Sequence, residues 1–168
     1  MAALGGGAAS SSPMGESLMG LIVKEKSSCL NESSAHRWIN LLGGGCLTSD
    51  CDEQLLLTLS LNQTCKLQGL VIGLSRGAAC PRTVKLFINQ TEMGFDEAME
   101  RAPTQEFVIT DSDKDRHEVQ LAVVKWNRTD SITIFVQDNH GADVTTLTSV
   151  NIYGTTLMGT DVSKIKGC

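Results

Sequence analysis

Asp50, Asp52 and Glu53 place three carboxylates within one short stretch. Hard cations prefer clustered carboxylates, but a calcium site needs roughly 6–8 converging oxygens, and no further spaced ligands follow this knot. A solvated loop, or an electrostatic contact for a basic partner, is the expected use of such a cluster. Cys46, Cys51 and His36 form the one conceivable zinc set, yet their spacing lacks the pattern of a zinc motif. Ser131, His140 and Asp138 supply the residue types of a nucleophile–base–acid triad, and nothing in their spacing places them together. No nucleophile-elbow motif occurs. Gly43-Gly-Gly45 is not followed by Lys-Ser/Thr, so it is no phosphate loop. No cysteine pair has Cys-x-x-Cys spacing, so a thiol oxidoreductase has no support. The chain is therefore expected to have no catalytic centre, cofactor or metal. Asp50, Asp52 and Glu53, together with the polar pair Asn62 and Gln63, are the expected partner-binding residues, at one end of the fold.

The elements that position these groups read as strands. In 54–61, Leu55, Leu57, Leu59 and Leu61 fall on one face and Leu56, Thr58 and Ser60 on the other, because side chains alternate across a strand. Asn62-Gln63 is expected to end that run. Further segments with strand character are 66–74, 83–89, 106–110, 118–124, 131–137 and 147–153. Val84, Leu86 and Ile88 share a face, as do Ile132, Ile134 and Val136. Short strands at close intervals with turn residues between them predict an all-β sandwich. One helix is expected at 95–101, capped by Asp96 and stopped before Pro103. A parallel α/β fold would need long helical patterns between the strands, and these are missing.

The chain has 168 residues, enough for one domain with tails. Residues 1–16 are mostly Gly, Ala and Ser and are expected to be a disordered tail, since they carry too little apolar surface to offset ordering entropy. The domain is expected over 17–156 and a C-terminal tail over 157–168. Leu18–Val23 is expected to dock on the core as a helical turn, and 27–34 to be polar loop. A net charge of −5 argues against non-specific nucleic-acid binding. No apolar run is long enough for a membrane helix. The N-terminal stretch lacks the basic residues and apolar core of a secretory signal, which predicts a cytosolic or nuclear protein. In that setting the 6 cysteines are expected to be thiols. The Asn-x-Ser/Thr sites at Asn31, Asn62, Asn89 and Asn127 are then expected to reflect turn chemistry rather than glycosylation. Aromatics make up only 4% of the chain. Trp38, Trp126 and Tyr153 are the large side chains that a sugar-stacking site would have to use.

An ordered set of motifs carries a resemblance. Cys29-Leu-Asn-Glu-Ser-Ser-Ala-His36 and Leu47-Thr-Ser-Asp-Cys-Asp-Glu-Gln-Leu-Leu56 are followed by Leu61-Asn-Gln-Thr-Cys-Lys-Leu67 and Pro81-Arg-Thr-Val-Lys-Leu-Phe-Ile-Asn89. Pro103-Thr-Gln105, Ser131-Ile-Thr-Ile-Phe-Val-Gln137 and Ile152-Tyr-Gly-Thr155 complete it. From about Leu18 to Lys166 the chain resembles the PITH domain, the proteasome-interacting module first seen C-terminal to a thioredoxin domain. The resemblance implies a jelly-roll β-sandwich of galactose-binding-like type, a non-enzymatic protein-interaction role, and association with the 26S proteasome. The Trp-Cys-Gly-Pro-Cys motif of a thioredoxin domain is absent, which suggests the stand-alone branch of the family. Carbohydrate or small-ligand binding at the loop end of the jelly roll is the alternative that such a fold allows.

Overall fold

Alternation of large aliphatic residues makes strands that are buried on one face, and two such faces must be packed together. A computed structural model describes residues 15–110 and 115–157 and shows how this chain does so. Nine strands run in chain order: β1 (Glu16–Ser17), β2 (Ser28–Leu30), β3 (Leu47–Thr48), β4 (Leu55–Leu74), β5 (Thr83–Ile88), β6 (Gln105–Val108), β7 (Arg116–Gln120), β8 (Thr129–Val136) and β9 (Thr146–Thr156). All named pairings are antiparallel. The one α-helix among the described residues, α1 (Phe95–Glu100), joins β5 to β6.

β4 organises the sandwich. Its first half pairs with β2 on one side and β8 on the other, and β8 continues the sheet to β5 and β6. Its second half pairs with β7 and β9, and β9 carries β1 and β3 on its far edge. A register irregularity between Ser60 and Cys65 turns the strand from one sheet into the other, as bulges do where a strand serves two sheets. Asn62-Gln63 therefore does not end the run: the chain stays in strand through the corner. The reason is pairing. Cys65, fully buried, lies opposite both Thr129 of β8 and Thr156 of β9.

Leu55, Leu57, Leu59, Ile132, Ile134, Val136, Val84 and Leu86 point into the space between the sheets, where Leu70, Ile72, Val150 and Ile152 meet them. Trp126 and Trp38 are both buried in this core. The opposite face of the first sheet is not left to solvent. Leu56, Phe87 and Phe135 form a second small core with Met93 and Ala98, and Phe95 packs against it. At Leu56 and Phe135, therefore, both faces of the sheet are covered.

Details differ from expectation at element ends. α1 has Gly94 at its N-cap and no side-chain cap, while Asp96 lies inside the first turn, where a carboxylate still complements the helix dipole. Ser28–Leu30, expected as loop, pairs with Leu56–Thr58 as β2. The segment around Leu18 does dock, with Leu18 buried and a 3-10 turn at Met19–Leu21. Glu16, expected in the tail, pairs with Gly154. The rest of the two tails, 1–14 and 158–168, lies outside the described residues.

Candidate functional site

Strand direction gathers four connections at one end of the sandwich. β4 starts and finishes there, so 49–54 and 75–82 share that end with 109–110, Asp115 and 137–145. Hydrogen bonds tie them together. His140 N–H and Ala142 N–H donate to the Ala78 carbonyl, Ser49 N–H to that of Thr145, and Ile109 N–H to that of Arg82. Loops held by packed sheets are where binding residues concentrate.

The acidic knot lies here. Asp50 and Asp52 are exposed and Glu53 is half-buried. Asn31 shapes the loop from across it. Its side-chain amide donates to the Asp52 carboxylate at 2.9 Å and to the Gln54 carbonyl at 2.8 Å, and its oxygen accepts from Cys51 N–H at 3.0 Å. Asn31 holds a left-handed φ of 69°, a conformation that Asn tolerates better than most residues. Asp52 also accepts from Gln54 N–H, so its carboxylate is partly committed to the turn. Asp50 receives only the Cys51 thiol. No cation pairs with Asp50, Asp52 or Glu53 among the described residues. The knot thus projects uncompensated negative charge. Its effect is local too: Asp50 beside the exposed Cys51 thiol pushes that thiol's pKa up, so it stays protonated.

Asn62 and Gln63 are not beside the knot. They sit at the corner of β4, at the opposite end of the sandwich, with Thr64 bonded to Asp130. Leu55 to Asn62 spans about 20 Å at ordinary strand rise. The expectation of one joint surface fails because it treated the run as ending at Asn62, whereas the strand crosses the whole sandwich first.

The triad does not assemble. His140 Nε2 lies 3.0 Å from the Ile109 carbonyl. Asp138 is clamped by Nε and Nη2 of Arg82, at 3.2 and 2.8 Å, and by Thr83 N–H. The Arg82 hydrogen bonds hold its carboxyl below the usual range. Ser131 is buried on β8 opposite Ser60. Nor does the zinc or calcium arrangement form: among the described residues, no three His, Cys, Asp or Glu side chains converge to hold a metal ion. Burial pushes the Cys29 and Cys65 thiols up as well, and Cys29, Cys46, Cys51 and Cys65 carry no disulfide.

Sequence reasoning missed the residues that build this end. Asn139, buried, donates to the Ala142 and Val144 carbonyls and to Thr145, and accepts from Gly141 and Ala142 N–H. Thr145 links on to the Glu53 carbonyl and to Ser49. The Asn-x-Gly spacing of Asn139 and Gly141 was the available signal. Trp126 gives its indole N–H to Gln105 and is fully buried, Trp38 is buried, and Tyr153 stands half-buried on β9. The described loops of this end contain no Trp, Tyr or Phe.

The fold belongs to the galactose-binding-like jelly rolls. Two solved neighbours from Clostridium perfringens show it. CpGH89CBM32-5, in complex with GalNAc-β-1,3-galactose, has a TM-score of 0.64 at 8% identity and covers 83% of this chain and 100% of its own. The family 32 CBM of NanJ, in complex with galactose, has a TM-score of 0.59 at 10% identity over 82% and 97%. At the level of family, the model described as PITH domain matches residues 8–167, and the chain belongs to that family. Thioredoxin-like protein 1 of Schizosaccharomyces pombe is 31% identical over 147 residues, covering 82% of this chain and 51% of that protein. PITH domain-containing protein 1 of Homo sapiens is 27% identical over 106 residues, 63% of this chain and 50% of the relative. The chain thus spans about half the length of these curated relatives.

Proposed function

We propose that this chain is a non-enzymatic protein-interaction module that associates with the 26S proteasome. The observation that carries the reading is membership of the PITH family across residues 8–167, whose defining role is proteasome interaction. His140 at the Ile109 carbonyl and Asp138 in the grip of Arg82 are taken up by structural hydrogen bonds, which agrees with a binding role. The acidic loop at 50–53 is the contact we assign, since its charge has no cation partner among the described residues and lies at a loop end of the sandwich. A cytosolic or nuclear location follows from that partner. The test is capture of purified 26S proteasome by the tagged full chain, with cross-linking mass spectrometry. Cross-links joining 49–54 to proteasome subunits support the reading, and absence of capture at low salt overturns it.

Carbohydrate binding at the same end is a second reading, favoured by the sugar-bound structural neighbours. It has less support, because sugar rings are commonly stacked on aromatic faces and the loops here offer none. A glycan array distinguishes the two.

A further inference from the structure

The outer face of the first sheet is only partly roofed. Directly opposed residues on antiparallel strands share a face. One such row crosses five strands: Leu30, Leu56, Phe135, Lys85 and Glu106. α1 covers the middle of it, where Phe95 and Ala98 pack in the small core with Leu56 and Phe135. The two ends of the row lie outside that roof. Leu30 is 42% exposed at one end. At the other, Glu106 is exposed, and Val108, two residues on along the same face of β6, is 51% exposed. Met99 of α1 is 43% exposed between them.

The free charge on this face has one sign. Asp96, Met99 and Glu100 are neighbours at helical spacing on the exposed side of α1. Asp96, Glu100 and Glu106 have no cation partner among the described residues. Lys85 and Arg101, the cations beside α1, are occupied. Lys85 Nζ lies 3.5 Å from the Met99 carbonyl, and Arg101 pairs with Glu97. The Gln54 side-chain amide, 3.6 Å from Met99 Sδ, joins the face to the acidic loop, because Gln54 N–H also donates to Asp52.

We propose that this face, around α1, docks a basic segment of a partner protein in which Lys or Arg residues flank an apolar side chain. Charge complementarity selects that occupant. Carboxylates without cations of their own surround exposed apolar side chains, so the matching surface brings positive charge and an apolar residue together. Met99 is an adaptable anchor, since an unbranched thioether repacks around differing shapes. Asp96 and Glu100 beside it steer the Lys or Arg. This role rests on the reading of the chain as a binding module, and it carries the contact from the acidic loop across α1.

The test selects a random peptide display library on the full chain, then measures the chosen peptides by fluorescence polarisation. The expected winners place Lys or Arg on both sides of an apolar residue. Their affinity falls about tenfold at low ionic strength on Asp96→Lys with Glu100→Lys, and by less as salt screens the charges. Glu16→Lys with Glu25→Lys, both exposed and away from α1, makes the same charge change and leaves affinity within about twofold. Met99→Gln with Val108→Thr removes the apolar anchors and costs about tenfold at every salt concentration. These two changes keep a helix former and a strand former in place, so the test stays decisive if the α1 reversal melts early. Amide shifts mapped to 95–100 and 106–108 complete the support. Failure to select any peptide, winners without basic residues, or losses shared by the Glu16 and Glu25 control overturn the proposal. Self-association of the chain that Met99→Gln with Val108→Thr dissolves makes a second copy the occupant, and overturns it too. Capture of purified 26S proteasome is scored separately. A chain that selects these peptides yet captures no proteasome supports the face and overturns the proteasome reading. One that captures proteasome yet selects no such peptide overturns the face alone.

Discussion

At the scale of single residues, short polar side chains do the shaping. The Asn31 side chain ties the acidic loop to the end of β2 through Cys51, Asp52 and Gln54 while holding a left-handed backbone. Asn31→Gly keeps the backbone freedom and loses the bonds, and should cost about 1–3 kcal/mol. Asn31→Ala adds the left-handed penalty of roughly 1–2 kcal/mol. Urea titration of both variants measures the difference, and equal losses would show that φ is not under strain. Asn89 does similar work, with its oxygen accepting from Asp130 and Ser131 N–H and φ at 55°. Two of the four Asn-x-Ser/Thr sites are thus occupied as turn-makers. Asp138 makes a different prediction. Its carboxyl is held low by Arg82, so the folded state favours the ionised form. That stability is complete above the unfolded value of about 3.9 and is lost as pH falls below it. Thermal melts of the wild type should therefore fall off on the acid side more steeply than those of Asp138→Asn. Parallel curves would mean that the Arg82 clamp is neutral to folding.

Among the elements, β4 sets the architecture, because one strand belongs to both sheets. Its return half brings Gly154 of β9 against the backbone of Lys66, where an added Cβ would run into the Lys66 carbonyl. Gly154→Ala should cost about 1–3 kcal/mol or more, since overpacking forces backbone shifts. An unchanged midpoint in guanidinium would show that β9 can move aside at no cost. Periodicity made much of this level readable. Leu55, Leu57, Leu59 and Leu61 are buried together as their spacing required, and β5 and β8 fall within a residue or two of their expected bounds. Three things escaped. β2 is only three residues long, too short for alternation to register. The corner at 61–65 carries turn-like polar residues, yet its conformation is decided by Cys65 pairing with two strands distant in sequence. The site failed for the same reason: Asn62 is near Asp52 along the chain, but a strand that crosses the sandwich puts them at opposite ends.

For the whole molecule the question is whether the acidic loop recognises a partner or only shapes its own turn. The geometry divides the three carboxylates. Asp52 is committed to Asn31 and Gln54, while Asp50 and Glu53 have no cation partner among the described residues. The double reversal Asp52→Lys with Glu53→Lys tests this. It moves the formal net charge from −5 to −1, so a loss of binding alone would not separate a local contact from a weaker overall field. Reversing Glu25 and Glu92, both exposed, makes the same change elsewhere and serves as the control. If the loop steers a basic patch on the partner, the loop variant should associate about tenfold more slowly at low ionic strength. The gap between loop variant and control should close as salt screens exposed charges. Surface plasmon resonance against purified proteasome across a salt series reads both. Equal association rates for the two variants, with the fold intact by circular dichroism, would confine Asp50, Asp52 and Glu53 to building the entry to β4 and move the search for the contact to another face.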